Sequence, residues 1–336
     1  MRNAKIIAGT SHPDLAQAII EKLGTTPTPL TVKQHSNHET SVDIGVSVRN
    51  DDIFIVQSGS DNVNDSLMEL MVLIHSCRIS SAQRITAVLP YFPYSKQSKK
   101  KKARGAVTAK LIANMLTVSG VDHVVTLDLH HEQMQGFFSK PVDNLQAEPT
   151  LCKYIAEHIP DYTRAVVVSK NPGGVKRVTQ LADRLKIDFA LIHQRDSKGS
   201  SSKRLTDQVV EVFEPQWHED GLQLVGDVAG RPCFLVDDIL DKASGFIAAA
   251  RLLRRRGASR VYVLATHGLL SGDALTELEA CDAVYQVIVT NSYPISTEKQ
   301  ALTNKLRIID ISGVLAEAIR RTHNGESISY LFHTAL

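Results

Sequence analysis

The sequence predicts an α/β protein of two domains, each a parallel sheet flanked by helices. Three observations lead there. Short runs rich in Val and Ile, many unbroken by polar residues, recur along the chain, as expected of strands buried on both faces. Amphipathic stretches of helical spacing separate them. The alternation runs twice, with a break near residues 148–150, and strand–helix–strand repetition builds parallel sheets. The expected domains are therefore 1–148 and 149–336.

The strand-like runs fall at 5–9, 53–57, 84–89, 123–129, 165–169, 189–193, 232–236, 261–266, 284–290 and 306–311. Helical spacing of apolar residues marks 65–79, 108–119, 174–186 and 244–256. Two segments stand outside the pattern. Residues 96–104 form a basic loop. Residues 194–222 are long, polar and rich in Ser and Lys, the character of a functional loop or a flexible insert.

With 336 residues the chain is long enough for two cores, and 43% hydrophobic with 22% charged residues is ordinary globular composition. A formal charge of +2 argues against a nucleic-acid or membrane-surface partner, though not against a local basic patch. Cys77, Cys152, Cys233 and Cys281 are widely spaced, which reads as reduced thiols of an intracellular protein. No apolar run nears the ~20 residues that span a bilayer, and no leader pattern opens the chain, so the cytoplasm is the expected location.

Four constellations carry candidate chemistry. Asp128 and His130, in the sequence TLDLHHEQ, follow an apolar strand where α/β folds place ligands. Two residues apart, they are expected on one face of that strand. With Asp143 as a third oxygen ligand they could hold Mg²⁺; a polar cluster making turn hydrogen bonds reads equally well. Asp237 and Asp238 end a second strand, with Asp241, Ser244 and Gly245 before a helix. Carboxylates there suit sugar hydroxyls or a metal, and loop N–H groups suit a phosphate; the alternative is a helix capped by Asp241 or Ser244. The run from Lys96 to Arg104 holds six positive charges in nine residues, enough to clamp a triphosphate, with Phe92 and Tyr94 beside it to stack on a base. A solvated basic face reads equally well. Finally, Ser169–Gly174 (SKNPGG) has the layout of an anion-binding turn, or of any tight turn.

Taken together these segments resemble the ribose-phosphate pyrophosphokinases along nearly the whole chain. The resemblance rests on NDSLMEL (64–70), RITAVLPYFPY (84–94), DHVVTLDLH (122–130), QMQGFF (133–138), PVDN (141–144), VGDVAGRPCFLVDD (225–238), ATHGLLSG (265–272) and LAEAIRRTHNGESISYLF (315–332). It is closest to divergent, subunit-like fungal members and is similar to the synthetase-associated proteins of animals.

The resemblance implies two phosphoribosyltransferase-like domains and transfer of the β,γ-diphosphoryl group of ATP to C1 of ribose 5-phosphate, with Mg²⁺. It implies metal ligands at Asp128, His130 and Asp143. ATP contacts would come from Lys96, Gln97, Lys99, Lys100 and His130, and ribose-phosphate contacts from Asp237, Asp238, Asp241, Ser244 and Gly245. A regulatory phosphate or ADP site at subunit contacts would use Ser47, Arg49, Gln135, Asn144 and Ser312. It also implies association with paralogous subunits.

Departures from the family pattern fall in the loops. Its adenine loop, Phe-Ser-Asp-Gly-Glu, reads His35-Ser36-Asn37-His38-Glu39 here. Its Arg-Gln-Asp is Lys96-Gln97-Ser98, and an acidic position after Gly-Phe-Phe is Ser139. Its Ser-Pro-Asp-x-Gly-Gly is Ser169-Lys170-Asn171-Pro172-Gly173-Gly174. The mobile segment's Lys and Arg fall at Gln194, Arg195 and Asp196, leaving only Arg195 as a candidate catalytic cation. The phosphate loop Asp-Thr-x-Gly-Thr is Asp241-Lys242-Ala243-Ser244-Gly245. An intact framework with altered substrate loops is expected of a subunit with little activity alone. A competent synthetase and a nucleotide- or phosphate-sensing binding protein are the alternatives.

Overall fold

The computed structural model describes residues 3–100, 103–194, 221–332 and 334. The first half runs β1 (Ala4–Ala8), α1 (Pro13–Lys22), β2 (Leu30–Gln34), β3 (Thr40–Ile44), β4 (Asp52–Val56), α2 (Val63–Ile79), β5 (Arg84–Leu89), α3 (Thr108–Ser119), β6 (His123–Leu127) and β7 (Val142–Leu145). Five of these strands form a parallel sheet in the order β1-β4-β5-β6-β7, and β2 pairs with β3 as a separate hairpin. Every residue of β4 is buried, which accounts for its unbroken apolar stretch.

The second half runs α4 (Glu148–His158), β8 (Val166–Ser169), α5 (Val175–Leu185), β9 (Asp188–Gln194), β10 (Leu222–Val225), β11 (Pro232–Leu240), α6 (Ser244–Arg255), β12 (Arg260–Gly268), α7 (Ala274–Ala280), β13 (Gln286–Thr290), α8 (Thr297–Gln300), β14 (Leu306–Ile309) and α9 (Ser312–Asn324). Its seven-stranded sheet has the order β10-β9-β8-β11-β12-β13-β14, parallel except for β10 against β9.

The two sheets share a core. One apolar cluster includes Ile19 of α1, Phe54 of β4, Val167 of β8, Leu264 of β12 and Leu315 of α9. The last helix is also tied to the first sheet by polar contacts. Asp52 accepts from Arg84 Nε at 2.9 Å and lies 2.8 Å from His323 Nδ1, while Arg84 donates to the Thr322 carbonyl at 2.9 Å.

Three of the departures from the strand-and-helix expectations bear on the sheets and the site. The hairpin β2–β3 went unread because its residues are half-buried or exposed and no long apolar run marks it. Strand β11 does not stop at Val236: it continues through the acidic pair, because Ile239 and Leu240 pair with His267 and Gly268 of β12. The expected insert at 194–222 begins and ends in strand, at Gln194 and Leu222, which pair with each other. Residues 195–220, including the candidate Arg195, lie outside the described residues.

Candidate active-site cleft

The carboxyl ends of β6, β8, β11 and β12 open onto a cleft of about 680 Å³, a volume suited to a small-molecule site. Asp128 enters it from a turn and not from a strand face, since β6 ends at Leu127 and Asp128 has φ +40°. That left-handed conformation is uncommon outside glycine and is best tolerated by Asp and Asn. The turn is held by the Asp128 N–H donating to the Leu145 carbonyl at 2.9 Å. The Asp128 carboxylate accepts from the Thr266 hydroxyl and, at 3.4 Å, from the Ala147 N–H, so it bridges the two sheets. His130 crosses likewise, with Nδ1 2.6 Å from Asp238 Oδ2.

Asp143 is not brought to this pair. It lies on β7 and its carboxylate is 2.9 Å from His123 Nε2, away from the cleft lining. Its neighbour Asn144 does line the cleft, where its side-chain oxygen accepts from the Leu129 N–H at 2.9 Å. Strand alternation decides this: consecutive residues of β7 face opposite ways.

The acidic pair of β11 is already neutralised. Lys170 Nζ lies 2.7 Å from Asp237 Oδ2, and Arg177 reaches Asp237 at 3.5 Å and Asp238 at 3.2 Å. Burial penalises the Asp238 charge, but the His130 hydrogen bond and Arg177 outweigh it and hold that carboxyl well below the usual range. Burial dominates at Asp237 and pushes it upward, against the pull of Lys170. Asp238 is therefore the carboxylate that keeps its charge to lower pH.

The phosphate-loop residues are also placed in the cleft. Asp241 is paired to Lys96 Nζ at 2.5 Å, a contact between the two halves of the chain. Burial raises Asp241, but Lys96 and Ser271 override it and the net shift is downward. Ser244 and Gly245 open α6 at the cleft wall. Ala243 stands at the N-cap and no side chain caps the helix, contrary to capping by Asp241 or Ser244. The first N–H groups of α6 are thus free of side-chain caps, an arrangement that suits an anion.

The basic loop divides. Lys96 and Lys99 line the cleft. Gln97 instead accepts from the Thr108 hydroxyl at 2.7 Å, and Lys100 is exposed outside the lining. Phe92 cannot stack on a base, because it is buried in a separate apolar cluster of the first half, edge-on to Phe138 at 5.6 Å. The SKNPGG turn satisfies itself: Asn171 accepts from the Gly174 N–H at 3.1 Å, and Ser169 donates to the Asn171 carbonyl at 2.6 Å.

The five residues of the expected regulatory site are dispersed within one chain. Ser47 and Arg49 line a second, shallow groove with Ser76 and Ser80. Gln135 is exposed and donates to the Glu132 carbonyl at 3.3 Å. Ser312 is fully buried and donates to Asp310 at 2.7 Å, so its hydroxyl is committed within the fold.

Sequence reasoning missed Arg177 and Thr266 as members of the cleft, and read Lys170 only as part of the SKNPGG turn and not as the partner of Asp237. One signal was present: Lys176 and Arg177 lie in the first turn of α5, where the helix dipole disfavours cations unless an acidic partner or an anion faces them. Arg177 has those partners in Asp237 and Asp238, and Lys176 is 2.5 Å from Glu132.

Residues 4–120 match the family model described as the N-terminal domain of ribose phosphate pyrophosphokinase, and residues 161–333 match the phosphoribosyl synthetase-associated domain. Ribose-phosphate pyrophosphokinase 1 of Schizosaccharomyces pombe is 45% identical, with 100% of both chains covered. This chain belongs to the ribose-phosphate pyrophosphokinase family. The Saccharomyces cerevisiae protein of the same name is 43% identical over 99% of each chain. The phosphoribosylpyrophosphate synthetase of Mycobacterium smegmatis superposes with a TM-score of 0.86 at 36% identity, covering 96% of this chain and 100% of that one. The family fold, two phosphoribosyltransferase-like α/β domains with parallel sheets, is the fold of this pyrophosphokinase-family chain.

Proposed function

We propose that the chain is a subunit of a ribose-phosphate diphosphokinase complex that makes 5-phosphoribosyl 1-diphosphate from ATP and ribose 5-phosphate for nucleotide biosynthesis, with little or no turnover alone. The observation that carries the second clause is the pair of internal ion pairs, Lys170–Asp237 and Lys96–Asp241, at the acidic residues meant for the sugar phosphate. The family's full-length relatives support the first clause.

In the reaction, the 1-oxygen of ribose 5-phosphate attacks the β-phosphorus of ATP in line. The bond from that phosphorus to the α-phosphate oxygen breaks, AMP leaves, and the hydroxyl proton passes to solvent. Catalysis of this kind is positioning plus charge neutralisation. Lys96, Lys99 and Lys176 would meet the polyphosphate, since all three line the cleft. The open N-terminus of α6 at Ser244 and Gly245 would take the 5-phosphate.

Magnesium suits a site of one or two carboxylates with substrate phosphates and water. Asp128 with His130 fits that description; Asp143 does not join them, and Asp237 already faces an ammonium. When bound, the ion would neutralise phosphate charge, and Asp128 and His130 are the residues that would hold it. The altered loops at 35–39, 96–98 and 241–245 support weak turnover, because losing one transition-state donor costs about 10²–10³ in rate. The chain would act in the cytoplasm, in an oligomer with paralogous subunits; among the described residues no helix is long and apolar enough to cross a membrane.

The test is turnover of ATP and ribose 5-phosphate with Mg²⁺, by the purified chain and by the chain co-purified with a paralogue. Activity is expected only in the second. Robust turnover by the homogeneous chain would overturn the reading in favour of a competent synthetase. A regulatory role, phosphate or ADP sensing, is favoured by the groove holding Ser47 and Arg49. Calorimetry with ADP and with phosphate on the mixed complex tests it, and an absence of heat for both would remove it.

A further inference from the structure

We propose that Lys170 is a built-in counter-cation of the acidic pair, standing beside Asp237 where a divalent ion or a sugar diol would otherwise stand, and that it sets how weakly this half of the cleft binds either. Three observations carry the argument. The ammonium is 2.7 Å from Asp237 Oδ2, with the two side chains only 15% and 14% exposed. It also lies 3.9 Å from the centre of the Phe246 ring, so an aromatic face holds it from the other side. Arg177 occupies the Oδ1 atoms of Asp237 and Asp238. Two carboxylates thus face two cations, and the set is neutral with no ligand present.

A lysine held this way is not a solvated surface residue. Leaving the Oδ2 atom of Asp237 enclosed without its ammonium would be costly, so the ligand-free state is the one the ion pair stabilises. A divalent cation approaching Asp237 meets an ammonium within a few ångströms, and a diol finds its acceptor atoms taken. Anion binding is not opposed, since Lys170 adds positive charge and the N-terminus of α6 is left uncapped. The cleft is therefore selective for the phosphate of a sugar phosphate over its hydroxyls.

The residue is a positioning and specificity residue, and its role is separable from turnover. For the sugar the inference rests on the reading that this cleft takes ribose 5-phosphate; for the metal it does not. The experiment uses the full chain and Lys170→Met, which keeps the stem and removes the charge. Mn²⁺ alone is titrated and followed by its electron paramagnetic resonance signal. Ribose 5-phosphate with Mg²⁺ and inorganic phosphate are titrated by calorimetry. Lys170→Met is expected to bind Mn²⁺ and ribose 5-phosphate about tenfold more tightly than the parent chain, and phosphate no more tightly.

Adding Asp237→Asn to that variant is expected to erase the Mn²⁺ gain. If Lys170→Met does not fold, Lys170→Gln, which keeps a hydrogen-bond donor toward Asp237, carries the same expectation. Unchanged or weaker Mn²⁺ binding in the folded variant would overturn the proposal, as would a gain that survives Asp237→Asn. A gain for Mn²⁺ without one for ribose 5-phosphate would uphold the counter-cation and overturn the ribose reading of the cleft.

Discussion

Replacing Asp52 by Asn should loosen the last helix from the first sheet. Asp52 sits at the start of β4 with its side chain 9% exposed, and it receives Arg84 through two guanidinium nitrogens and His323 through Nδ1. Arg84 also donates to the carbonyl of Thr322 in the last turn of α9, which takes only a long 3.5 Å contact from the C-cap Gly325 N–H. Asparagine keeps the shape and one acceptor oxygen but removes the charge and turns an acceptor into a donor. Breaking a fully buried ion pair from one side costs about 3–5 kcal/mol, and an exposed pair contributes about 0–1 kcal/mol. Arg84 is 36% exposed and can recover some hydration, which places the loss between those limits, at about 2–3 kcal/mol. For a chain of this size that corresponds to a fall in Tm of roughly 3–4 °C. Thermal and urea unfolding of Asp52→Asn, Arg84→Met and the double variant would measure it. The double variant should lose less than the sum of the singles, because the residues in contact share one interaction. A Tm within about 1 °C of the parent chain, or simple additivity, would refute the claim that this cluster fastens α9.

Other perturbations have equally definite outcomes. His12 reaches across the two halves, with Nε2 2.8 Å from the Asn291 carbonyl and Nδ1 receiving the Leu15 N–H at 3.5 Å. Burial lowers its pKa, so the unfolded chain takes up the proton first as pH falls below about 6.5, and stability should drop from there toward the folded pKa. The urea midpoint should fall between pH 7.5 and 5.5 by more in the parent chain than in His12→Asn, and equal losses would contradict this. Burial pushes the thiols of Cys77, Cys152 and Cys233 up to about 12, so iodoacetamide should label them only after denaturation; rapid labelling of the native chain would count against their burial. A methyl group at Gly9 would stand 2.1 Å from Gln57 Oε1, and that side chain is fixed by Ser11 and by the Ser66 carbonyl. Gly9→Ala should therefore cost about 1–3 kcal/mol in urea unfolding, and no change in the midpoint would show that Gln57 can move aside.

The fold was legible where physical periodicity was strong. Strands such as Arg84–Leu89 and helices such as Thr108–Ser119 carry their burial in their residue pattern, and their bounds match the expectation. Half-exposed strands, β2 and β3, carry no such pattern and were lost. At the site, Asp128, His130, Asp237, Asp238, Asp241, Ser244 and Gly245 do converge on one cleft, because each lies near or beyond the carboxyl end of a parallel strand. What could not be read were the partners. Sequence shows that Lys170 follows a strand, but not that its ammonium turns back onto Asp237, a residue on a neighbouring strand. Asp143 is a second such case: strand alternation turns its carboxylate to His123, while the next residue, Asn144, lines the cleft.

The central claim is that this chain supplies framework and a pre-neutralised cleft to a synthetase assembly and supplies little chemistry itself. The most direct measurement is AMP release from ATP and ribose 5-phosphate by a mixed complex in which only the paralogous subunits have been inactivated by substitution of their own acidic pair. The account predicts a rate at the level of the reaction without enzyme. Turnover in that complex that disappears with Asp238→Asn in this chain would contradict it.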